Sequence, residues 1–281
     1  MRLEPYYDNI INTSMSIPLN IFHISQAVNL LTDQSNILNE QVIQAHLSTG
    51  RLVVLPVINS TNQYLINRIS HLQPGDACVA EYQLHGRGRR GRKWISQFRN
   101  NIYYSIYWYF KQQGPSVLIG LSLMVGIIVA DILQNFGVTN VLVKWPNDLY
   151  LNNRKLAGIL VEMIGQSIVI GIGINLAMPT IAKEWISLHE IGNYIIRNAL
   201  VAELTNALCK ALLLFEQEGF FPFMLRWRTL DYLYNKKVNI LLNEYQKVTG
   251  IARGINTQGA FLLEQKGKIY SYINGEIGWY S

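Results

Sequence analysis

The sequence predicts an α+β protein in which a mixed or antiparallel sheet with helices is followed by a small β-barrel. Short β-branched segments separated by brief polar turns fill residues 138–176, and this close spacing favours antiparallel pairing. Two longer segments, near 116–136 and 197–217, have the apolar spacing of helices. From residue 237 onward, about 45 residues alternate strand and turn signals, which is the size of an SH3-like barrel.

Length and composition favour a globular protein. The chain has 281 residues, of which 49% are hydrophobic, so it can bury a sizeable core. Its 24 basic and 18 acidic residues give a net charge of +6, which allows an anionic ligand without requiring a nucleic acid. Cys78 and Cys209 lie far apart in apolar runs, so they predict buried thiols rather than a disulfide framework or a metal site.

The sequence predicts neither export nor a membrane span. The N-terminus lacks the apolar core of a secretory signal, so we expect a cytoplasmic protein. The most hydrophobic segment, Val117 to Ala130, is too short to span a bilayer and ends at Asp131, which favours a buried helix. Within residues 1–50, where one basic residue faces four acidic ones, a helix is predicted only near Asn39 to Leu47.

Strand and helix signals alternate from residue 51 onward. RLVVLPVI (51–58) predicts a strand, and STNQ (60–63) is an N-cap signal for the helix after it. ACVAEY (77–82) follows a Pro-Gly turn and predicts a second strand. The strand predicted over 101–110 alternates two sets of side chains. They are Ile102, Tyr104, Ile106 and Trp108 on one face, and Tyr103, Ser105, Tyr107 and Tyr109 on the other.

The strand IVIGIGINL (168–176) has one bare face. A period of two places the isoleucines on the core face, and Gly171, Gly173 and Asn175 on the opposite face. Because glycine weakens a strand, this pattern indicates that a ligand approaches the backbone closely, or that a helix packs tightly over it. Lys144 and Lys155, predicted on neighbouring strands, can point cations at the same floor.

The segment GRGRRGRKW (86–94) contains five cations, three glycines and no acid. Glycines let backbone N–H groups turn toward an anion, and arginines bind carboxylate or phosphate groups bidentately, which favours a polyanionic small molecule. A solvated flexible loop and a nucleic-acid contact, with Trp94 stacking on a base, are the alternatives. The segment is not a P-loop, because it does not end in Gly-Lys-Ser/Thr before a helix.

Five motifs, in this order and spacing, closely resemble those of bacterial biotin–protein ligases. They are STNQ (60–63), EYQ with GRGRRGRKW (81–94), KWPNDLY (144–150), KLAGILVE (155–162) and GIGINL (171–176). The resemblance runs from about Asn36 to the C-terminus and includes the terminal module. It implies a class II synthetase-like biotin ligase domain with an SH3-like C-terminal domain.

The resemblance also implies a two-step reaction. Biotin and ATP, with Mg²⁺, form biotinyl-5′-adenylate and pyrophosphate. A lysine of the biotin carboxyl carrier protein of acetyl-CoA carboxylase then takes the biotin as an amide. A carboxylate must attack an already anionic triphosphate, so cations and preorganised N–H donors in a Gly-rich loop suit this chemistry.

Roles carry over by motif. The resemblance implies catalysis by Lys155, Arg87 and Arg89, with Lys155 as the main electrostatic catalyst, and no metal ligands from the protein itself. It implies that the following residues bind biotin: Ser60, Thr61, Asn62, Gln83, Gly86, Arg87, Gly88, Arg89 and Lys155. It implies that the following residues bind ATP or the adenylate: Arg90, Trp94, Asn147, Asp148 and Asn175.

Two departures from the family pattern qualify these expectations. Bifunctional relatives carry an N-terminal winged helix-turn-helix, whereas residues 1–35 predict a degenerate, acidic segment, so we expect no sequence-specific DNA binding. The segment AMPTIAKEW (177–185) is short for a loop that helps to cover the adenine, which puts adenylate retention in doubt. The predicted domains are therefore 1–35, a ligase domain over 36–231 and an SH3-like domain over 232–281.

Two alternative functions and a possible homodimer also follow from the sequence. A lipoate–protein ligase shares the fold and the acyl-adenylate chemistry but differs at the basic loop, and a DNA-binding regulator of biotin genes is the alternative from another class. The sequence does not decide whether a homodimer forms, and the strand near 168–176 is the candidate sheet edge for one.

Overall fold

The computed structural model describes residues 37–110, 115–178, 183–243 and 246–279. The α-helices in these ranges are α1 (Glu40–Gln44), α2 (Thr61–Ile66), α3 (Pro115–Asn135), α4 (Arg197–Glu218) and α5 (Met224–Leu230). The strands are β1 (Leu52–Leu55), β2 (Ala77–Ala80), β3 (Asn101–Tyr109), β4 (Leu142–Lys144), β5 (Asp148–Leu151), β6 (Arg154–Ile164), β7 (Ser167–Asn175), β8 (Lys237–Leu241), β9 (Lys247–Ile255), β10 (Phe261–Gln265), β11 (Lys268–Tyr272) and β12 (Glu276–Trp279).

The strands form a seven-stranded sheet in the order β1-β2-β3-β7-β6-β5-β4 and a five-stranded sheet in the order β11-β10-β9-β8-β12. Only β1 and β2 are parallel, because α2 lies between them along the chain, and the other named pairs are antiparallel. The predicted α+β class with a mixed sheet and a separate C-terminal β module is confirmed.

The strand order corrects two predictions. Strand β7 pairs with β3 on one side and with β6 on the other, so the strand near 168–176 has no free edge for a dimer. Strand β5 separates β4 from β6, so Lys144 and Lys155 are not on adjacent strands. Among the named strands, residues 160–164 of β6 pair with β7 alone, which leaves their other edge open.

The two faces of the large sheet are covered differently, as the alternation in β3 predicts. On one face Tyr104 donates a hydrogen bond from its hydroxyl group to Thr205 of α4 at 3.0 Å. On the opposite face Ser105 lies against Thr61 and Asn62 of α2. The apolar face of the sheet therefore packs on α3 and α4, and the other face holds the short helix α2.

Helix α3 runs from Pro115 to Asn135, close to the predicted 116–136, so the helix as a whole is long enough to span a bilayer although the run Val117–Ala130 is not. Segments 117–135 and 197–218 are both long and apolar enough to cross a membrane by length and composition, yet each is 72% buried inside the fold. Asp131 interrupts the apolar run and pairs with Arg226 at 2.5 Å. Packing in the core accounts for the hydrophobicity of both helices.

The first described residues are fixed to the domain built around the large sheet. Leu38 donates its backbone N–H to the carboxylate of Glu81 at 2.8 Å, and Glu81 forms a buried ion pair with Arg197 at 2.6 Å. The helix predicted near Asn39 to Leu47 is present, with Asn39 as its N-cap, but α1 ends at Gln44, before the predicted end near Leu47. Residues 1–35, predicted to be a degenerate segment, lie outside the described residues.

The five-stranded sheet contacts the end of the large sheet. The Trp145 indole donates a hydrogen bond to the Gly259 carbonyl at 3.0 Å, and its ring lies 5.2 Å from that of Phe261. Tyr232 donates its backbone N–H to Val143 at 3.0 Å. Asp231, one residue earlier, is partly buried, and desolvation raises the pKa of its carboxyl group to about 6.

Replacing this carboxyl group should alter the pH dependence of stability. The folded-state pKa of Asp231 is about 6, above the value of about 4 in an unfolded chain, so its contribution is complete below pH 4 and is lost as pH rises through 6. We predict that Asp231→Asn becomes more stable relative to the parent by about 2–3 kcal/mol between pH 4 and pH 7. Urea unfolding at several pH values measures this difference. A difference that stays constant over that range would contradict the prediction.

Candidate active site

A cavity of about 290 Å³ lies over the glycine-containing face of β6 and β7. It brings together eleven of the residues predicted to form the site. They are Ser60, Thr61, Asn62, Gln83, Arg87, Gly88, Arg89, Trp94, Asn147, Asp148 and Lys155. Three other predicted residues, Gly86, Arg90 and Asn175, are not among those that line the cavity.

The basic segment Gly86–Trp94 is folded as a hairpin, which we call the basic hairpin. Gly88 donates its N–H to the Arg92 carbonyl at 2.7 Å, and Trp94 donates to the Gly86 carbonyl at 2.9 Å. A 3₁₀ turn over Arg89–Gly91 connects the two arms. Gly86 is essential to this closure, since an added Cβ would lie 2.5 Å from the Trp94 carbonyl oxygen. The segment is therefore a hairpin that forms one wall of the cavity, and five of its nine residues are exposed.

One end of the cavity is a cluster of hydroxyl and amide groups. Ser60 caps α2 and accepts a hydrogen bond from the Gln63 N–H. The backbone N–H and hydroxyl groups of Thr61 both donate to the Gln83 carboxamide oxygen, at 2.9 and 3.1 Å. Since that oxygen is committed, the Gln83 amide nitrogen is the donor that can serve a ligand. Ser105, which sequence reasoning did not assign to the site, contacts Thr61 at 2.7 Å.

The floor of the cavity has no side chains at three strand positions. A Cβ added at Gly171 would lie 2.3 Å from Asn62 Oδ1, and one added at Gly173 would lie 2.5 Å from the Trp94 ring. A Cβ at Gly158 would also lie 2.8 Å from that ring. The inference that these glycines leave room for a ligand is thus corrected, because side chains of α2 and the basic hairpin occupy the space. At Gly171 the other predicted alternative applies, because the side chain that packs over this glycine belongs to helix α2.

Two tryptophans stack beside this floor. The rings of Trp94 and Trp185 are separated by 6.4 Å between centroids, with an interplanar angle of 13°. Backbone pairing holds Trp185 there, since Lys155 donates to Glu184 at 2.7 Å and Ile186 donates to Lys155 at 3.0 Å. Sequence reasoning missed Trp185, although it is the aromatic residue of the segment 177–185. Residues 179–182 of that segment lie outside the described residues.

The opposite end of the cavity is cationic. The Lys155 ammonium group pairs with the Asp148 carboxylate at 2.7 Å, and its Nζ lies 5.6 Å from the Trp94 ring centroid. Arg89 donates a hydrogen bond to the Asn147 side-chain oxygen at 3.0 Å. Burial, and then the neighbouring positive charge of Arg90, lower the pKa of the Arg89 guanidinium group. These side chains form a site whose cations are partly desolvated, which strengthens their attraction for an anion.

The C-terminal module contributes a carboxylate to the same cavity. Glu276 of β12 pairs with Arg92 at 2.7 Å and with Arg90 at 3.5 Å. Arg90, predicted to bind the adenylate, is therefore directed toward this carboxylate. Glu276 was missed because nothing in the local sequence connects it with a hairpin that precedes it by more than 180 residues. Lys144 also lines the cavity, and burial lowers the pKa of its ammonium group.

Asn175 is buried and supports the strand that carries Lys155. Its side-chain nitrogen donates a hydrogen bond to the Lys155 carbonyl at 3.5 Å. Among the described residues, no group of three or more His, Cys, Asp or Glu side chains could hold a metal ion. The carboxylates that line the cavity, Asp148 and Glu276, both pair with cations of the protein.

Comparison with known proteins agrees with this arrangement. Residues 54–177 match the biotin/lipoate A/B protein ligase family, and residues 234–277 match the biotin protein ligase C-terminal domain. The chain is 50% identical over 257 residues to the bifunctional ligase/repressor BirA of Escherichia coli (strain K12), with 88% of this chain and 79% of that protein covered. BirA of Salmonella typhimurium is also 50% identical, with 88% and 80% covered.

Solved structures have the same fold. The biotin protein ligase from Aquifex aeolicus in complex with biotin and ATP has a TM-score of 0.71 and 28% identity, and the match covers 81% of this chain and 97% of that one. With half of its residues identical to those of two relatives over about four fifths of their length, this chain belongs to the biotin–protein ligase family.

Proposed function

We propose that this protein activates biotin with ATP to give biotinyl-5′-AMP and pyrophosphate, and then transfers the biotin to a specific lysine of the biotin carboxyl carrier protein of acetyl-CoA carboxylase. The observation that carries the proposal is one continuous cavity with an amide-and-hydroxyl cluster at one end and desolvated cations at the other. The ureido ring of biotin, which is neutral and polar, matches the first end. The phosphate groups of ATP match the second end.

The polar end suits the ureido ring of biotin, which has one carbonyl acceptor and two N–H donors. Gln83 offers its amide nitrogen to the carbonyl oxygen, and Ser60, Thr61 and Asn62 offer oxygen atoms to the N–H groups. The dithiolane ring of lipoate has no such donors or acceptors. It would leave these buried polar groups unpaired, so the cluster favours biotin over lipoate.

The cationic end serves the first step. The biotin carboxylate oxygen attacks the α-phosphorus of ATP, the bond to the β-phosphate oxygen breaks, and pyrophosphate leaves with that electron pair. Both reactants are anionic, so Lys155 and Arg89 offset their repulsion and stabilise the charge on the reacting phosphate. The arm of the basic hairpin from Gly86 to Arg89 closes over the valeryl chain and carboxylate and keeps them in line for attack.

The tryptophan pair suits the nucleotide base. The 6.4 Å centroid separation of Trp94 and Trp185 is close to twice the ~3.5 Å contact distance of stacked atoms, so a small opening admits a purine between the rings. Asn147 and Asp148 line the cavity near Lys155 and position the ribose and phosphates, while the buried Asn175 acts through the Lys155 backbone. Mg²⁺ would enter with the triphosphate as MgATP, and the Asp148 carboxylate, which lines the cavity, would help to orient it.

In the second step the lysine amine of the carrier protein attacks the acyl carbon, and AMP leaves with the electrons of the acyl–phosphate bond. The basic hairpin keeps water away from the mixed anhydride until then. We assign these steps to a ligase domain over residues 36–231 and an SH3-like domain over 232–281. Reducing cytoplasm is the compartment that suits its free thiols, Cys78 and Cys209.

Two interactions with macromolecules remain proposals. A homodimer would use the open edge of β6 over residues 160–164, because β7 is covered on both sides. The expectation that the chain binds no specific DNA sequence concerns residues 1–35, which lie outside the described residues.

The proposed activity is tested with purified protein, MgATP, biotin and a biotin carboxyl carrier domain. We predict labelling of one acceptor lysine and biotin-dependent, lipoate-independent exchange between ATP and pyrophosphate. Lys155→Ala should lower the exchange rate by about 10²–10³-fold, because it removes a charge that stabilises the transition state. A parent protein that labels no competent acceptor would overturn the proposed function. Unchanged exchange by Lys155→Ala would remove only the role of that residue.

Arg89→Gly should loosen the grip on the adenylate. It removes a partly buried cation and the hydrogen bond to Asn147, so release of biotinyl-5′-AMP should rise about tenfold or more while the fold is kept. Leaked adenylate reacts with any amine, so mass spectrometry should find biotin on lysines of bystander proteins. Arg99→Gly is the matched control, since Arg99 is an exposed cation beside the hairpin with a positive φ that glycine tolerates. Equal release by both variants would contradict the role of Arg89.

A further inference from the structure

Glu162 of β6 joins two walls of the cavity with its two carboxylate oxygens. One oxygen pairs with the Arg87 guanidinium group of the basic hairpin. The other accepts a hydrogen bond from the Asn62 side-chain nitrogen of α2 at 2.8 Å. Glu162 itself does not line the cavity, and its side chain is 20% exposed. One residue behind the site therefore contacts two groups that lie within it.

The contact with Glu162 fixes which way the Asn62 amide points. Its nitrogen is held by Glu162 and by the Leu160 carbonyl, at 2.8 and 3.3 Å. Its oxygen is turned toward Ser105, which donates at 2.6 Å, and this oxygen retains a second lone pair. Asn62 is thereby presented to the cavity as an acceptor. A rotated amide would present a donor instead, which could not accept an N–H from a ureido ring.

The contact with Arg87 fixes the basic hairpin. Arg87 also donates to the Gln63 side chain of α2, and its backbone pairs with that of Lys93 across the hairpin. The arm that carries Gly86 and Gly88 is thus bound to the sheet through Glu162. The Arg87 guanidinium group is neutralised by this pair, so its side chain acts on the hairpin rather than on the phosphates.

We propose that Glu162 is a positioning residue for biotin: it holds Asn62 as an acceptor and draws the basic hairpin onto the sheet, so that the biotin end of the cavity exists before the ligand binds. The inference rests on the proposed function. Glu162 lies seven residues from Lys155 along β6, and it contacts the hairpin arm that carries Arg87 rather than the arm that carries Trp94. It should therefore affect chiefly the binding of biotin and change the binding of ATP and the chemical step much less.

The test compares Glu162→Gln with the parent in ATP–pyrophosphate exchange, varying biotin and ATP separately. Glutamine keeps the shape of the side chain but loses the charge that both contacts use. We expect the KM for biotin to rise about tenfold, with kcat and the KM for ATP changed less than about twofold. Glu264→Gln is the control, because it removes an ion pair of similar exposure, that with Arg253, from the C-terminal module.

A double-mutant cycle distinguishes this role from a general loss of structure. Arg87 and Glu162 share one contact while Glu162 also holds Asn62, so Glu162→Gln in an Arg87→Gln background should raise the biotin KM further, but by clearly less than the tenfold expected in the parent. Fully additive effects, or a biotin KM equal to that of Glu264→Gln, would overturn the proposal. So would equal losses in kcat and both KM values.

A second variant, Glu162→Asp, tests the proposal if Glu162→Gln does not fold. Should Glu162→Gln not yield folded protein by near-UV circular dichroism, Glu162→Asp takes its place with the same expected shift in biotin KM, because it withdraws the carboxylate by one methylene. An unshifted biotin KM in that variant would overturn the inference. If the parent protein itself shows no biotin-dependent exchange, the proposed function fails first, whereas an active parent with unaffected variants removes only the role of Glu162.

Discussion

Gly158, Gly171 and Gly173 share one face of β6 and β7, and the absence of a Cβ at these positions determines how the site is assembled. Asn62 and the Trp94 ring approach the sheet backbone so closely that a Cβ would lie within 2.8 Å of one or the other at each position. Helix α2 and the basic hairpin can therefore both rest on the sheet. Their polar and aromatic side chains then meet over a single floor, which makes one cavity out of two separate chain segments.

Charge balance is the second constraint on this assembly. Six cations and two carboxylates line the cavity, so the cations repel one another unless they are paired with carboxylates. Three different parts of the chain supply carboxylates: Asp148 pairs with Lys155, Glu276 pairs with Arg92, and Glu162 holds Arg87 from behind the wall. The pairs hold the cations in place, and the excess positive charge that remains suits a triphosphate. The C-terminal module thus supplies one of the carboxylates that balance the charge of the site.

The sequence predicted much of this fold because its signals are local. The N-cap at Ser60, the alternation in β3 and the meander from β4 to β7 follow from spacing and turn residues alone, and each is present. The order of strands across the sheet is not local. Spacing along the chain could not reveal that β7 returns beside β3. The prediction that β7 lies at a sheet edge was therefore wrong.

The same distinction applies to the site. Residues within recognisable motifs, such as Thr61, Gln83 and Lys155, line the cavity as expected. Trp185 and Glu276 reach it through pairing with distant segments, which no short motif records. The bare strand face was noticed from its glycines, but composition cannot distinguish a bound ligand from the protein's own side chains as the group that approaches.

The central claim is that the floor glycines seat two different parts of the site, Gly171 the Asn62 side chain and Gly173 the Trp94 ring. Titration calorimetry with biotin and with a nonhydrolysable ATP analogue tests it directly. In Gly171→Ala the new Cβ displaces Asn62, so biotin affinity should fall on the order of tenfold while nucleotide affinity is nearly unchanged. In Gly173→Ala the new Cβ displaces Trp94, so nucleotide affinity should fall on the order of tenfold while biotin affinity is nearly unchanged. Equal losses for both ligands in both variants, or no loss in either, would contradict the account.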